Sequence, residues 1–485
     1  MVSNGAVRLL SVVSMPILTS LLSPQAYGVA ALVGTVISLV SVVALAGIDM
    51  SYARLYNSAQ PPNGMSVERY CWRFAVLCGL ISALVAALGW WFFAKHTIDQ
   101  DGRLAVVVGL GIIFSVTCTM VLTRARLAGR YGAMALTIIG TGIICLAASI
   151  VIATVWRRDA MALVIPVLLG YLIPIVLLGA PSIGELAQRS GLSRSEGAAL
   201  LKIGLAGVVT SPMYWLVSSS DRWFLQHYHT AATVGLYAVG YSIATAGMMV
   251  NNAITLVWLP EAAREFEENP AVARAALGQI MSRLAVLMAL VWLAIAAAGG
   301  DIVRWFANIR FHAAAEYVPY IAAGVFFHGV LNLANGGLLL AKELNWAAIW
   351  WLMGGAVCTL LNLLLVPNYG SLGAAITQAV SFGFIALGIL MTCQLKFPLD
   401  LDWSRFGVAL GVILPTGIFL AHAWHPVALL SLLMKLPIGI SVAVVVIFVT
   451  APDWCDKGVQ YLRGQYAALI RLARLSGGRD VRHSR

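Results

Sequence analysis

Polar residues interrupt this chain only briefly. Between the interruptions run apolar stretches of about twenty residues, the length that carries an α-helix across the ~30 Å hydrocarbon core of a bilayer. About fourteen such spans are predicted, near 6–22, 26–50, 72–94, 104–123, 133–155, 160–180, 201–220, 233–258, 280–299, 317–341, 346–366, 372–394, 404–424 and 428–450. The runs are continuously apolar, whereas membrane-crossing strands would alternate apolar and polar positions over about ten residues. The expected fold is therefore an all-α polytopic membrane protein.

Composition agrees: 60% of the 485 residues are hydrophobic, 11% are charged and the mean hydropathy is +0.88. Charge placement adds an orientation. With a cytoplasmic N-terminus, the loops on that side hold Arg54, Arg69, Arg124, Arg126, Arg130, Arg264 and Arg274, and the tail adds more. The opposite side holds fewer, among them Lys95, Arg103, Arg157, Arg304, Arg310 and Lys435. The positive-inside rule then predicts that both termini are cytoplasmic. The net charge of +11 is scattered over one face, so anionic lipid is the expected partner and nucleic acid is not. Between 458 and 475 the tail reads as a basic amphipathic helix lying on that leaflet, or as a frayed end.

Several chemistries find no support. The chain contains no GxxxxGK[ST], HExxH or GxSxG pattern. His227 with His229, and His422 with His425, lack acidic or Cys neighbours and read as polar loop residues rather than metal ligands. Six of the seven Cys fall in apolar spans, without a CxxC, and read as small core residues. The longest polar stretches, 181–197, 261–279 and the tail from Asp453, are too short for a catalytic domain. No enzyme activity, cofactor or metal is expected.

The pattern also repeats. SPQAYGVAALVG at 23–34 is echoed by TAATVGLYAVGY at 230–241, with Gly235 lying 207 residues after Gly28. Two six-span lobes are predicted, at 1–190 and 191–400, followed by two further spans in 401–452 and the basic tail at 453–485. With an even number of spans in each, both lobes enter the membrane in the same direction. A pseudo-two-fold axis along the membrane normal follows, the arrangement of alternating-access carriers.

The segments LLSPQAYGVAALVG, DRWFLQHYHTAATVGLYAVGYSIA, VWLP at 257–260 and LLNLLLVPNYGSLGAAITQAVS together resemble the Wzx-type polysaccharide flippases. Those belong to the multidrug, oligosaccharidyl-lipid and polysaccharide exporter superfamily. The resemblance implies movement of an undecaprenyl-diphosphate-linked oligosaccharide from the inner to the outer leaflet, for O-antigen, capsule or exopolysaccharide. It implies a polysaccharide polymerase and glycosyltransferases as pathway partners. Two other classes stand beside it: a cation-coupled multidrug extruder, and a membrane-embedded glycosyltransferase or polymerase.

A diphosphate crossing hydrocarbon needs fixed donors, and the planar fork of Arg suits it. Arg8, Arg54 and Arg264 are the candidates, at positions where the related lipid II flippases carry diphosphate-binding arginines on their first, second and eighth helices. Arg54 and Arg264 also lie 26 and 29 residues after their aligned glycines. Helix ends on the cytoplasmic side attract Arg in any membrane protein, which is the competing explanation. Asp49 is a candidate coupling carboxylate, or a simple partner of Arg54. Asp221 and Arg222 diverge by about 100° on a helix and each needs a further partner, so they read as structural. Asn251 and Asn252, and the one-face stripe of His328, Asn332 and Asn335, would bind sugar hydroxyls or bond neighbouring helices. Tyr27, Tyr237 and Trp258 are stacking candidates, or interfacial anchors.

Overall fold

A computed structural model describes residues 14–56, 64–94, 102–182, 184–185, 188, 191–268 and 270–450. Arg8 and the amphipathic tail lie outside them. The described chain is nearly all helix, and no strand occurs among the described residues. Ten of its helices are long and apolar enough to cross a membrane.

The first half begins with α1 (14–21), then α2 (Pro24–Leu45) and the short α3 (Ile48–Leu55). It continues through α4 (Gly64–Gly89), α5 (Arg103–Leu127), α6 (Tyr131–Val151) and α7 (Met161–Leu178). The second half starts with α8 (Arg194–Ser219), where Ser193 caps the backbone of Glu196 and the Glu196 carboxylate returns a bond to Ser193. Accepting the Ser193 backbone N–H holds that carboxyl below its ordinary pKa. Next come α9 (Asp221–Tyr228), α10 (Ala231–Ala244), α11 (Met248–Glu268), α12 (Pro270–Phe306) and α13 (Val318–Leu340). The chain then runs through α14 (Asn345–Lys396), α15 (Trp403–Ala421) and α16 (Ala428–Thr450).

At 52 residues, α14 is too long to be one span; it is two helices joined at a bend. Gly370 makes the bend with φ 52° and ψ −129°, just after Pro367. The Nε2 of His229 lies 2.8 Å from the Val366 carbonyl, in the turn before the bend. This histidine therefore serves a backbone carbonyl. The Gly370 conformation is one that essentially only glycine tolerates, so Gly370→Ala should cost about 1–3 kcal/mol. A thermal midpoint equal to that of the native chain would show that the bend relaxes instead.

The repeat seen in the sequence has a structural counterpart. Ser23 caps α2 through its side chain, and Thr230, 207 residues later, caps α10 in the same way. The two helices then cross at the aligned glycines. A Cβ on Gly28 would overlap the carbonyl oxygen of Ala231, and a Cβ on Gly235 would overlap that of Pro24. Pro24 and Ala231 are themselves 207 apart, so the contact is reciprocal, as a two-fold axis requires. Nearby, Tyr27 meets Phe311 edge-on at 5.2 Å, and Thr19 Oγ1 accepts the Asn308 N–H at 3.0 Å. At the other end of α2, Gly47 and Gly204 bring α3 and α8 into backbone contact, and Ser51 donates to the Leu200 carbonyl at 2.7 Å. The two halves therefore touch at both ends of this seam and leave a space between.

The last two helices, α15 and α16, pack on α12. Their attachment is polar. Lys435 Nζ donates to Asp301 Oδ2 at 2.6 Å, and both side chains are almost wholly buried. Arg304 binds the other carboxylate oxygen at 3.2 Å, and Ser431 donates to Oδ2 at 3.1 Å. Lys435, read from the sequence as a charge marking the outer face, is instead an internal tie. It is the eighth residue of α16, inside the helix rather than in a loop.

Candidate functional site

The space between the halves is a cavity of about 920 Å3. The first half contributes Ser38 and Val42 of α2 and Met50 of α3. The second half contributes the rest, chiefly one face of α8, one face of α13 and the start of α14.

α13 brings His328, Asn332 and Asn335 to this wall together. Spacings of four and three put them on one helix face, and Asn332 Nδ2 lies 3.4 Å from His328 Nδ1. The Oδ1 of Asn335 is buried without a protein partner. α8 faces them with Tyr214, which lies 5.3 Å from the His328 ring and 5.9 Å from that of Trp351. Phe382 backs this group at 5.4 Å from His328. Around the rings stand the hydroxyls of Thr210, Ser211, Ser218, Ser219 and Thr255.

The α8 wall is locked to the first half by indole donors. Trp215 Nε1 donates to the Thr35 carbonyl at 3.0 Å and to Ser38 Oγ at 3.1 Å, and Trp223 Nε1 donates to Thr35 Oγ1 at 3.0 Å. A single polar turn of α2 thus holds both tryptophans.

Asp221 and Arg222 lie behind the wall, 1% and 7% exposed. Their charged groups are 3.8 Å apart, and each has the further partner that its direction on the helix demands. Asp221 accepts the Tyr237 hydroxyl, and Arg222 sits 4.4 Å over the Tyr241 ring and donates to the Ser218 carbonyl. Burial of an ion pair is tolerable when partners meet its remaining donors and acceptors, and Tyr237, Ser218 and the Tyr241 ring supply such partners here. Tyr241 and Ser218 are the members of the network that reach the cavity.

The other sequence candidates are dispersed. Asn251 is 2% exposed and donates to the Val325 carbonyl at 2.7 Å, joining α11 to α13. Asn252 is exposed. Arg54 is exposed, Asp49 is half-buried, and Arg264 is exposed with its guanidinium 3.6 Å from Glu268. None of these five is among the described residues lining the cavity. Of the aromatic candidates, Tyr237 is committed to Asp221, Tyr27 to Phe311, and Trp258 is buried.

Sequence reasoning missed Tyr214 and Trp351, because an aromatic residue in an apolar run looks the same whether it faces lipid, core or cavity. A usable signal was nevertheless present. The run TSPMYWLVSSS at 210–220 sets six hydroxyl residues in a predicted span, which hydrocarbon would not favour. Glu68 was missed as well: it is 8% exposed and pairs with Arg124 at 2.9 Å.

A helical fold with ten helices able to cross a membrane among the described residues, and a cavity between two halves, is thus defined. The chain belongs to the polysaccharide biosynthesis protein family, whose pattern it matches over residues 17–316, more than half its length. No curated protein matches it by sequence at a significant level. Its fold is similar to that of the lipid II flippase MurJ in an inward closed conformation, with a TM-score of 0.70 at 12% identity. That match covers 94% of this chain and 99% of the other. A multidrug resistance MATE family transporter of the MOP superfamily, in an inward-facing conformation, matches with a TM-score of 0.61 at 12% identity, covering 84% of this chain and 96% of the other.

Proposed function

We propose that the protein is a flippase that carries an undecaprenyl-diphosphate-linked oligosaccharide from the inner to the outer leaflet of the bacterial inner membrane, for surface polysaccharide synthesis. The observation that carries this reading is the cavity, large enough for several sugar rings and walled by amides, hydroxyls and aromatic rings. Family membership and the MurJ-like fold support it. Transport would proceed by alternating access, with the lobes at 1–190 and 191–400 rocking about the α2–α10 crossing and both termini cytoplasmic. The helices of 401–452 would ride on the second lobe through α12.

In this reading Arg8, Arg54 and Arg264 receive the diphosphate at the cytoplasmic side, where a bidentate guanidinium is suited to phosphate oxygens. Asp49 would be the coupling carboxylate of the first lobe. Transbilayer movement of an undecaprenyl-diphosphate oligosaccharide in proteoliposomes tests both ideas. The native chain should move the lipid, and Arg8→Ala, Arg54→Ala and Arg264→Ala should each slow it by about tenfold while leaving the protein folded. Movement at the native rate in all three variants would remove the arginines from the site. A folded native chain that moves no such lipid but exports a cationic dye down an ion gradient would replace the flippase with a drug extruder.

A further inference from the structure

We infer that the cavity between the halves holds the sugar rings of its substrate and leaves the diphosphate outside, so that selection there is for an uncharged, hydroxyl-rich glycan. This deepens the flippase reading and rests on it for the identity of the lipid carrier.

The first argument is the chemistry of the wall. Tyr214 and Trp351 line the cavity, with ring centroids 5.9 Å apart and Phe382 packed behind both. A pyranose ring has an apolar C–H face and a polar rim, and amphipathic aromatic residues match that division. The backing fixes the orientation of the platform, so little freedom is lost when a ring settles on it.

The second argument is the unpartnered acceptor. Asn335 Oδ1 is buried and bonds nothing in the protein, an arrangement that costs free energy until a donor arrives. Diphosphate oxygens at neutral pH are acceptors and cannot supply that donor. A sugar hydroxyl or an acetamido N–H can. His328 and Asn332 stand beside it on the same helix face, offering further neutral donors and acceptors.

The third argument is electrostatic. The described lining residues include no Lys, Arg, Asp or Glu. A diphosphate taken into such a space would lose its hydration without gaining a cation, and unpaired buried charge is among the costliest states in a protein. Arg222 comes near the wall, but it is buried, is not among the lining residues, and has the Asp221 carboxylate 3.8 Å away to offset its charge. Arg54 and Arg264, proposed above for the diphosphate, are not among the lining residues.

The test is equilibrium binding to the full chain in lipid nanodiscs, with three probes. They are undecaprenyl diphosphate, its N-acetylglucosamine conjugate, and a panel of its di- and trisaccharide conjugates built from hexoses and N-acetylhexosamines. At least one glycolipid should bind about tenfold or more tighter than undecaprenyl diphosphate. Trp351→Leu and Asn335→Leu should each abolish most of that advantage, while affinity for undecaprenyl diphosphate stays within about twofold. Trp351→Phe, which keeps a ring, should retain part of the advantage and serves if the leucine variant fails to fold.

Equal affinity for all three probes, failure to bind any of them, or variants that weaken undecaprenyl diphosphate as much as glycolipid would each overturn the inference. Transport is a separate readout. A native chain that binds glycolipid selectively but moves none in proteoliposomes keeps this assignment and overturns the flippase. A chain that moves glycolipid while both leucine variants bind it normally does the reverse.

Discussion

Gly28→Ala is expected to be among the most damaging single substitutions in the protein, although it adds only one methyl group. That methyl would overlap the backbone oxygen of Ala231 at the crossing of α2 and α10, and a backbone carbonyl cannot swing aside as a side chain can. Overpacking in a well-filled core typically costs about 1–3 kcal/mol, and a clash that separates two helices should reach or exceed about 3 kcal/mol. Gly235→Ala should do the same by symmetry, since its Cβ would overlap the Pro24 carbonyl. Gly34 provides the control. It lies on the same helix, nothing stands within 4 Å of its would-be Cβ, and Gly34→Ala should be neutral or stabilise by about 0.5–1 kcal/mol through helix propensity. Thermal unfolding of the three variants in nanodiscs decides it. Equal midpoints for Gly28→Ala and Gly34→Ala would mean that the crossing is not packed as described. Any transport by Gly28→Ala should fall with its stability, because this crossing is one of the contacts that join the two halves.

The repeat that meets at this crossing was legible in the sequence because it is stated twice, whereas the contact itself was not. Ser23 with Gly28 and Thr230 with Gly235 keep the same offset, and a cap five residues before a glycine is a pattern that needs no tertiary knowledge to see. The face shared by His328, Asn332 and Asn335 was legible for a related reason, since helical periodicity alone puts them side by side. What periodicity does not show is what a polar group faces. Asn251 and Asn335 look alike in the sequence, yet one is spent on the Val325 carbonyl and the other is a cavity-lining residue whose buried amide oxygen has no protein partner. The difference depends on which helix packs opposite, and that is fixed by contacts between residues more than seventy positions apart. Tyr214 and Trp351 escaped for the same reason.

The ion pair of Asp301 and Lys435 was the least legible feature, and it underlies the second large effect expected. Both residues lie near helix ends, where charge normally marks the membrane surface, and 134 residues separate them. In the structure Asp301 is 1% exposed and gathers Lys435, Arg304 and the Ser431 hydroxyl on its two oxygens. One carboxylate therefore neutralises two cations, and its loss should be worse than the loss of either. Asp301→Asn leaves the buried ammonium of Lys435 without an anion, which should cost about 3–5 kcal/mol. Lys435→Met should cost less, because Arg304 still pairs with Asp301 and the methionine fills much of the space. The double variant Asp301→Asn with Lys435→Met removes both buried charges and should recover a large part of the Asp301→Asn loss, a coupling between the two sites. Thermal midpoints of the four proteins in nanodiscs measure it directly. If the losses simply add, the pair does not act as a unit and α16 is held to α12 by apolar packing alone. If the double variant recovers stability but loosens α16, seen as faster proteolysis near 424–428 than in the native chain, the ion pair sets the docking register of the last helix rather than its affinity.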